Sequence, residues 1–508
     1  MAGLKKKKEK LYGPVFVITV LIAIVSILSL IFSILGIESY QTVIANGTLE
    51  TTLITVKNII SLEGLKFIIG NAVTNFQIFE PLILIIISLI GISICEKSGL
   101  FSAMFSPFKR VKLNIIIFIT LFIGMISTII GDYSYVFLIP MCGVIYKYLG
   151  KNPLLGIITC FIGITIGYGT GIIFNYNDHL IGLLTEQAAT VDVDKTYAFS
   201  LFSNLYIMIV STIVLCFIGT ISIDKFLVSK ISRRYISEEE EFVTSKKAKR
   251  MALLALIILI GLIIYFVLPL KTFGAGILLD NEATRYMDKL FGSESPFGNG
   301  IVILITLIMI VCGFIYGKIS GNITTSHEFS LGLSKNFENL GFLFVLMFFM
   351  AQLSAVVEWT NLGNVVGSKL IEFIGNLQFS GIPLIITFFV IVILMSILLP
   401  GTMSKWEIAH PVIIPLFMRA NITPNFTQFI FKAADGVGKC YTPLFVYYII
   451  MLAFLEKYRI SEKKQISIFG TLKMIMPVIL ILTLTWLLII IVWYIMGLPI
   501  GIGTLSTL

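Results

Sequence analysis

Charged residues are scarce in this chain. They make up 13% of its 508 residues, whereas hydrophobic residues make up 57%. A soluble domain carries about 25% charged residues, so the composition argues against a large soluble protein. The six cysteines form no C-x-x-C pair and lie scattered through apolar segments. This pattern supports neither a disulfide framework nor a zinc site, and we predict no bound metal and no organic cofactor.

Long apolar runs take the place of the missing charges. Runs of 18 or more residues recur, each long enough to cross a bilayer as a helix. The net charge of +9 lies mostly at the ends of these runs, which is typical of cytoplasmic loops and predicts no nucleic-acid partner. Lys5 to Lys10 would keep the N-terminus in the cytoplasm and leave the C-terminus outside. The predicted spans are 14–36, 78–95, 153–184, 198–223, 251–270, 299–317, 339–357, 424–455 and 470–497.

Two further apolar stretches favour re-entrant hairpins. Residues 115–149 have basic residues at both ends, and each arm holds only about 16 residues, short for a span of about 20. A hairpin entering from the cytoplasm fits this pattern best, and a pair of short full spans is the alternative. The flanks of residues 381–418 carry almost no basic residue apart from Arg419, so this hairpin should enter from outside.

A shift of 271 residues superimposes the two halves of the chain. The hairpins enter from opposite sides, so the repeat is predicted to be inverted, with a site at the midplane. The matched pairs are Tyr135 with Trp406, Pro140 with Pro411, Pro153 with Pro424, and Gly167 with Gly438. We therefore predict an all-α polytopic membrane protein with nine transmembrane helices, two re-entrant hairpins, and an inverted repeat with two broken helices. The predicted divisions are N-terminal helices 1–113 as an inner or dimerisation scaffold, a first repeat unit 114–224, a cytoplasmic connector 225–250, middle helices 251–380 and a second repeat unit 381–508.

Lysines in apolar surroundings mark the predicted site. Charges in hydrocarbon are costly and usually belong to a transport path. Lys405, Lys432 and Lys439 add positive charge to the half-helix N-termini at the breaks, which favour anions, so an anionic substrate is expected. Lys432 can instead pair with Asp435 at i+3, or extend its ammonium group to the membrane surface.

Three aspartates, Asp132, Asp178 and Asp435, are candidates for coupling to H⁺ or Na⁺, because burial lets a carboxylate exchange a proton near neutral pH. Asp178 can alternatively lie solvated near the outer interface. Trp406 is expected either to stack on an aromatic ligand or to anchor at the interface.

The remaining polar candidates are one glutamate and three histidines. Glu407 and His410, at i and i+3, can form a structural pair or relay protons. His179 and His327 lie near segment ends and are expected to be solvated.

Three motifs resemble the AbgT family, the p-aminobenzoyl-glutamate transporter family. They are S-K-W at 404–406, P-x-x-x-P-x-F-M at 411–418 and D-x-x-x-x-x-x-T-P-L at 435–444. The resemblance implies a dimer with nine spans and two hairpins per subunit, and ion-driven uptake of p-aminobenzoyl-glutamate or export of sulfonamide antimetabolites. It also implies that Asp178, Trp406, Asp435 and Pro443 bind substrate.

The sequence departs from the family pattern near these residues. Lys432 stands where the family has arginine, which removes a planar, bidentate group for carboxylates. Met403 stands at the tip serine, although Ser404 follows it, and Lys439 ends a stretch where the family has S-S-T-N. We include Ser404, Lys432 and Lys439 among the predicted substrate-binding residues, and we expect Lys439 to replace a coupling cation.

The sequence thus predicts a transporter rather than an enzyme. The leading hypothesis is a dimeric, proton-driven carrier of aromatic, carboxylate-bearing solutes in the inner membrane, working by alternating access. A dicarboxylate or amino-acid carrier of the same superfamily is the alternative. An intramembrane aspartyl protease built on Asp132 and Asp435 is disfavoured because neither residue lies in a G-x-G-D pattern. A channel is disfavoured because no selectivity-filter loop is repeated.

Overall fold

The structure is a computed structural model that describes residues 13–45, 47–231, 242–270, 272–292, 294–337, 340–458 and 466–508. It is mostly helical, as predicted. The helices are α1 (Pro14–Ile34), α2 (Leu62–Gln77), α3 (Glu80–Lys97), α4 (Leu100–Phe105), α5 (Leu113–Ser127), α6 (Tyr133–Tyr148), α7 (Pro153–Ile166), α8 (Tyr176–Asp192), α9 (Leu205–Ile223), α10 (Ser229–Ile231), α11 (Lys246–Val267), α12 (Tyr286–Phe291), α13 (Pro296–Ser320), α14 (Ser326–Ser334), α15 (Gly341–Thr360), α16 (Leu362–Asn376), α17 (Gly381–Leu398), α18 (Thr402–Arg419), α19 (Pro424–Lys439), α20 (Val446–Lys457) and α21 (Ile468–Met496).

Two small antiparallel sheets accompany the helices. Strands β1 (Glu38–Ala45) and β2 (Thr48–Thr55) form a hairpin, and β3 (Pro499–Gly501) pairs with β4 (Thr504–Leu505). Residues 37–77, which were predicted only as an outside segment, contain this hairpin and α2. β1 packs against α16 and α18. The predictions for Lys5 to Lys10, Asn46, and the charged residues of 232–241 and 459–465 lie outside the described residues.

Nine helical segments of the described ranges are long and apolar enough to cross a membrane. The number matches the prediction, but the membership differs. The first arms of both predicted hairpins, Leu113–Ile130 and Gly381–Leu398, belong to the nine. The broken spans 153–184 and 424–455 do not, because their breaks leave each half shorter than a full span. Re-entry of the hairpins therefore remains a prediction.

Glycine and proline interrupt the helices where the sequence predicted breaks. Between α5 and α6 the chain makes a 3₁₀ turn and then passes Gly131, whose φ of +61° favours glycine. Pro400 and Gly401 separate α17 from α18. Pro153 and Pro424 each begin a helix, the position where the missing N–H costs no hydrogen bond.

The two repeat units have the same order of elements, α5 to α9 and α17 to α21. Each half-helix that follows a break packs against the other unit: α8 contacts α18, and α20 contacts α6. The ends of α7 and α19 cross where Gly436 approaches Thr165 closely. Thr165 and Gly436 are 271 residues apart. A contact between equivalent positions is what a two-fold axis between the units produces.

Candidate substrate and ion-coupling site

A buried cluster of charges lies where α19 meets the tip between α17 and α18. Asp435 forms salt bridges with two lysines: Lys405 Nζ lies 2.5 Å from Oδ1, and Lys439 Nζ lies 3.3 Å from Oδ2. Thr402 Oγ1 donates to Asp435 Oδ2 at 2.6 Å and accepts from Lys439 Nζ at 2.7 Å. Both lysines and Asp435 are almost completely buried. The structure thus brings together three charged residues that the sequence analysis assigned to the predicted site.

Backbone shape lets these side chains come together. Thr402 and Lys405 occupy the first turns of α18, directly after Gly401. Lys405 Nζ also donates to Ser396 Oγ at 2.9 Å, so it ties both arms of the tip together. A Cβ at Gly438 would collide with the Ser396 side chain. Glycine is therefore required for α19 to lie this close to α17.

Tyr168 connects the cluster to the first repeat unit. Lys439 Nζ lies 3.5 Å from the centroid of the Tyr168 ring, a favourable cation–π distance. The Tyr168 hydroxyl donates to Asp132 Oδ1 at 2.9 Å. Asp132, which the sequence analysis proposed as a coupling candidate, is half-buried and is linked to the cluster through this tyrosine. Tyr168 was missed as a functional candidate because it was considered only as part of a glycine-rich break.

Lys432 pairs with Asp178 rather than with Asp435. Its Nζ lies 2.5 Å from Asp178 Oδ1, and both residues are buried. The suggestions that Lys432 pairs at i+3 or reaches the surface, and that Asp178 is solvated, are therefore wrong. Gln428, one turn before Lys432 on α19, donates to the Asp178 carbonyl at 3.4 Å. These bonds join α8 of one unit to α19 of the other.

Trp406 forms a hydrogen bond between the two units and is not an interfacial anchor. It is completely buried, and its Nε1 donates to the Ile181 carbonyl at 3.1 Å. Its ring lies 4.4 Å from that of Phe431. Trp486 makes a similar bond from α21 to the Ile166 carbonyl, at 3.1 Å. Sequence reasoning missed Trp486, since a tryptophan in a long apolar helix carries no signal of its own.

The remaining polar candidates are dispersed. His410 is buried with Nδ1 2.7 Å from the Trp406 carbonyl oxygen, whereas Glu407 is exposed. His179 is buried against Asp288 and so is not solvated as predicted. His327 is exposed, as predicted.

A cavity of about 520 Å³ borders the tip between α17 and α18. Ser404 and Glu407 line it, so Ser404 does not join the lysine–aspartate cluster. Pro443 is half-buried in the break between α19 and α20, and the next residue, Leu444, also lines the cavity. Glu358 contributes a second carboxylate to the lining.

The sequence profile of the AbgT putative transporter family matches residues 2–508. The chain belongs to this family. The family is one of transporters, which confirms that the chain is not an enzyme. The p-aminobenzoyl-glutamate transport protein of Escherichia coli is 27% identical to this AbgT-family chain over 502 residues, 97% of this chain and 94% of that protein.

Two solved structures are also similar to this AbgT-family chain. The YdaH transporter of Alcanivorax borkumensis is 25% identical, with 96% of this chain and 100% of that chain covered and a TM-score of 0.49. MtrF of Neisseria gonorrhoeae is 26% identical, with 98% of each chain covered and a TM-score of 0.49. MtrF is described as representing a class of antimetabolite efflux pumps.

Proposed function

We propose that this AbgT-family chain is a proton-coupled secondary transporter of aromatic, carboxylate-bearing solutes such as p-aminobenzoyl-glutamate. One observation carries the proposal: three lysines and two aspartates are buried in two ion-pair groups on α19 and its neighbours α8 and α18. A buried charge pair is a poor way to stabilise a fold, so this group of five is better explained by transport. In this proposal the protein is a homodimer of the inner membrane with its N-terminus inside, and it works by alternating access.

Together the two groups have one more positive than negative charge, which favours an anionic solute. In the structure Asp435 pairs with Lys405 and Lys439, and Asp178 pairs with Lys432. Protonation of Asp435 weakens its hold on Lys405 and Lys439, and a substrate carboxylate can then take its place. The Lys439 ammonium lies over the rings of Tyr168 and Phe445. These rings offer apolar surface for an aromatic solute.

A proton suits this site better than a sodium ion. Sodium would need oxygen ligands, and the available oxygens of Asp435 and Thr402 already accept contacts from the Lys439 ammonium. Lys439 thus supplies a positive charge that a bound cation would otherwise bring. Asp132, linked through Tyr168, is a second carboxylate through which protons can reach the cluster.

The test is uptake of labelled p-aminobenzoyl-glutamate into proteoliposomes, first under an imposed pH gradient and then under a sodium gradient. The proposal predicts uptake with the pH gradient alone, and its loss in Asp435→Asn. Asp224→Asn is the matched control, because Asp224 is exposed and outside the cluster. Equal uptake by wild type and Asp435→Asn contradicts the proposed site.

A second candidate is transport of dicarboxylates or amino acids. Lys432 gives a single point charge in place of a planar fork, which suits small carboxylates as well as aromatic ones. Dicarboxylates, amino acids and sulfonamides should therefore be added as unlabelled competitors in the same assay. Stronger competition by a dicarboxylate than by p-aminobenzoyl-glutamate would favour the second candidate.

A further inference from the structure

The first feature is a pair of polar contacts that holds α8 against the start of α12. His179 Nε2 lies 2.7 Å from Asp288 Oδ1, and Arg285 Nη2 lies 3.3 Å from Glu186 Oε1. The Glu186 carboxylate also accepts the Phe199 N–H at 2.9 Å. We call these four side chains the α12 latch. α8 also carries Asp178, the partner of Lys432, so the latch holds the half-helix that completes the site.

The second feature holds α20 in a comparable way. Lys457 Nζ donates to Asn336 Oδ1 at 2.5 Å, and Asn336 Nδ2 donates to Glu96 Oε2 at 3.0 Å. Lys147 Nζ lies 3.6 Å from Glu96 Oε1. We call Glu96, Lys147, Asn336 and Lys457 the Asn336 latch. It connects α20 and α6 to α3 and to the turn after α14.

The two latches occupy equivalent positions in the repeat. Glu186 and Lys457 are 271 residues apart, and each binds a residue outside the repeat units. They also lie at opposite ends of the molecule. Phe291 of α12 packs on Phe297 at the start of α13, and Asn322, just after its end, binds the Ser98 carbonyl close to Glu96. α13 has 25 residues and is therefore about 37 Å long.

We propose that the two latches are alternate gates of the transport cycle. Release of the α12 latch frees α8 and opens the path at one end, while release of the Asn336 latch frees α20 and opens the other. His179, Glu186 and Lys457 are then positioning residues, which act through the half-helices and not on the substrate. The inference rests on the alternating access proposed above. Both latches are formed in this structure, so both half-helices are held.

Matched cysteine reporters test this inference. Ile181 in α8 and Leu452 in α20 are 271 residues apart and are both buried. Ile181→Cys and Leu452→Cys would be labelled with a maleimide in nanodiscs, where both faces are accessible, and compared with the parent, whose six cysteines are all buried. Asp288→Ala with Arg285→Met removes both contacts of the α12 latch, and Lys457→Met removes the contact of α20 in the Asn336 latch. Lys289→Gln, also on α12, is the control.

The two releases are expected to affect different reporters. Release of the α12 latch should raise the labelling rate of the reporter at position 181 about fivefold, the equivalent of roughly 1 kcal/mol for a half-exposed ion pair. The reporter at 452 should be labelled no faster. Release of the Asn336 latch should give the reverse. An equal rise at both positions, or no rise at either, overturns the inference.

Labelling requires no substrate, so the two proposals can fail separately. Transport of p-aminobenzoyl-glutamate by a protein whose reporters do not respond would refute the latches and leave the proposed function intact. Opposite reporter responses in a protein that transports none of the tested solutes would support the latches and refute the proposed substrate.

Discussion

The ammonium group of Lys439 lies 3.5 Å from the centroid of the Tyr168 ring. These residues are 271 positions apart and therefore occupy the same place in the two repeat units. Contact between equivalent positions is what a two-fold relation between the units would produce. The Lys439 ammonium contacts Asp435 on one side and is linked to Asp132 through Tyr168 on the other. The account of coupling depends on this charge.

Replacing Lys439 should change the ion requirement. Lys439→Asn removes the ammonium group and supplies an amide oxygen, a suitable sodium ligand together with Asp435 and Thr402. We expect sodium-free transport to fall at least about tenfold, a loss of roughly 1.4 kcal/mol, and sodium to restore part of it. Thermal unfolding in sodium chloride and in choline chloride gives a second measure, since a ligand that binds the folded state stabilises it. Transport by the wild type that requires sodium would contradict the view that Lys439 replaces a coupling cation.

Loss of one charge of the Lys432–Asp178 pair should destabilise the fold more than loss of both. Lys432→Met leaves a buried carboxylate unpaired, which costs about 3–5 kcal/mol. Lys432→Met with Asp178→Asn removes both charges and should recover most of the lost stability. Neither variant should transport. Thermal unfolding in detergent measures the first effect and uptake the second. A Lys432→Met protein as stable as wild type would show that the pair does not form.

Close approach of α19 to α7 should make Gly436 irreplaceable. A Cβ there would lie 2.5 Å from the Thr165 carbonyl oxygen, so the helices must separate. We expect Gly436→Ala to lower the free energy of unfolding by about 1–3 kcal/mol and to slow transport. Gly261→Ala in α11 is the control: nothing lies within 4 Å of its added Cβ, so it should be neutral or stabilising. Equal effects at both positions would argue against the crossing.

Two tryptophans should matter because they bond across the repeat. Trp406→Phe and Trp486→Phe each remove an indole N–H hydrogen bond to a buried carbonyl, of Ile181 and of Ile166, at a cost of about 0.5–1.5 kcal/mol. Transport should fall in both variants. Trp493→Phe loses a bond to the nearby Pro499 carbonyl and should keep transport, because this bond is local. Loss of transport in the Trp493 variant as well would indicate a general effect of indole removal.

The sequence predicted most of the long helices, the breaks and the charged residues of the cluster, for physical reasons that act locally. Pro153 and Pro424 begin helices because proline lacks an N–H, and Gly131 and Gly401 adjoin breaks. Lys405 and Lys439 stood out because charges in apolar surroundings are costly.

Partners from distant segments were less accessible to sequence reasoning. Lys432 and Asp178 are separated by 254 positions, and nothing local favours that pair over Asp435 at i+3. The bond of His179 to Asp288 likewise depends on where the short helix α12 packs. The β-hairpin had a local signal, since a turn with Gly47 lies between two runs rich in β-branched residues. The sequence analysis interpreted that signal only as part of an outside segment.

The most direct measurement of the central claim is proton movement that accompanies substrate uptake without sodium. Proteoliposomes that contain a pH-sensitive dye would be given p-aminobenzoyl-glutamate in a sodium-free buffer. The account predicts acidification of the lumen that follows substrate uptake by wild type and is absent from Asp435→Asn. Substrate uptake that requires sodium and moves no protons would contradict it.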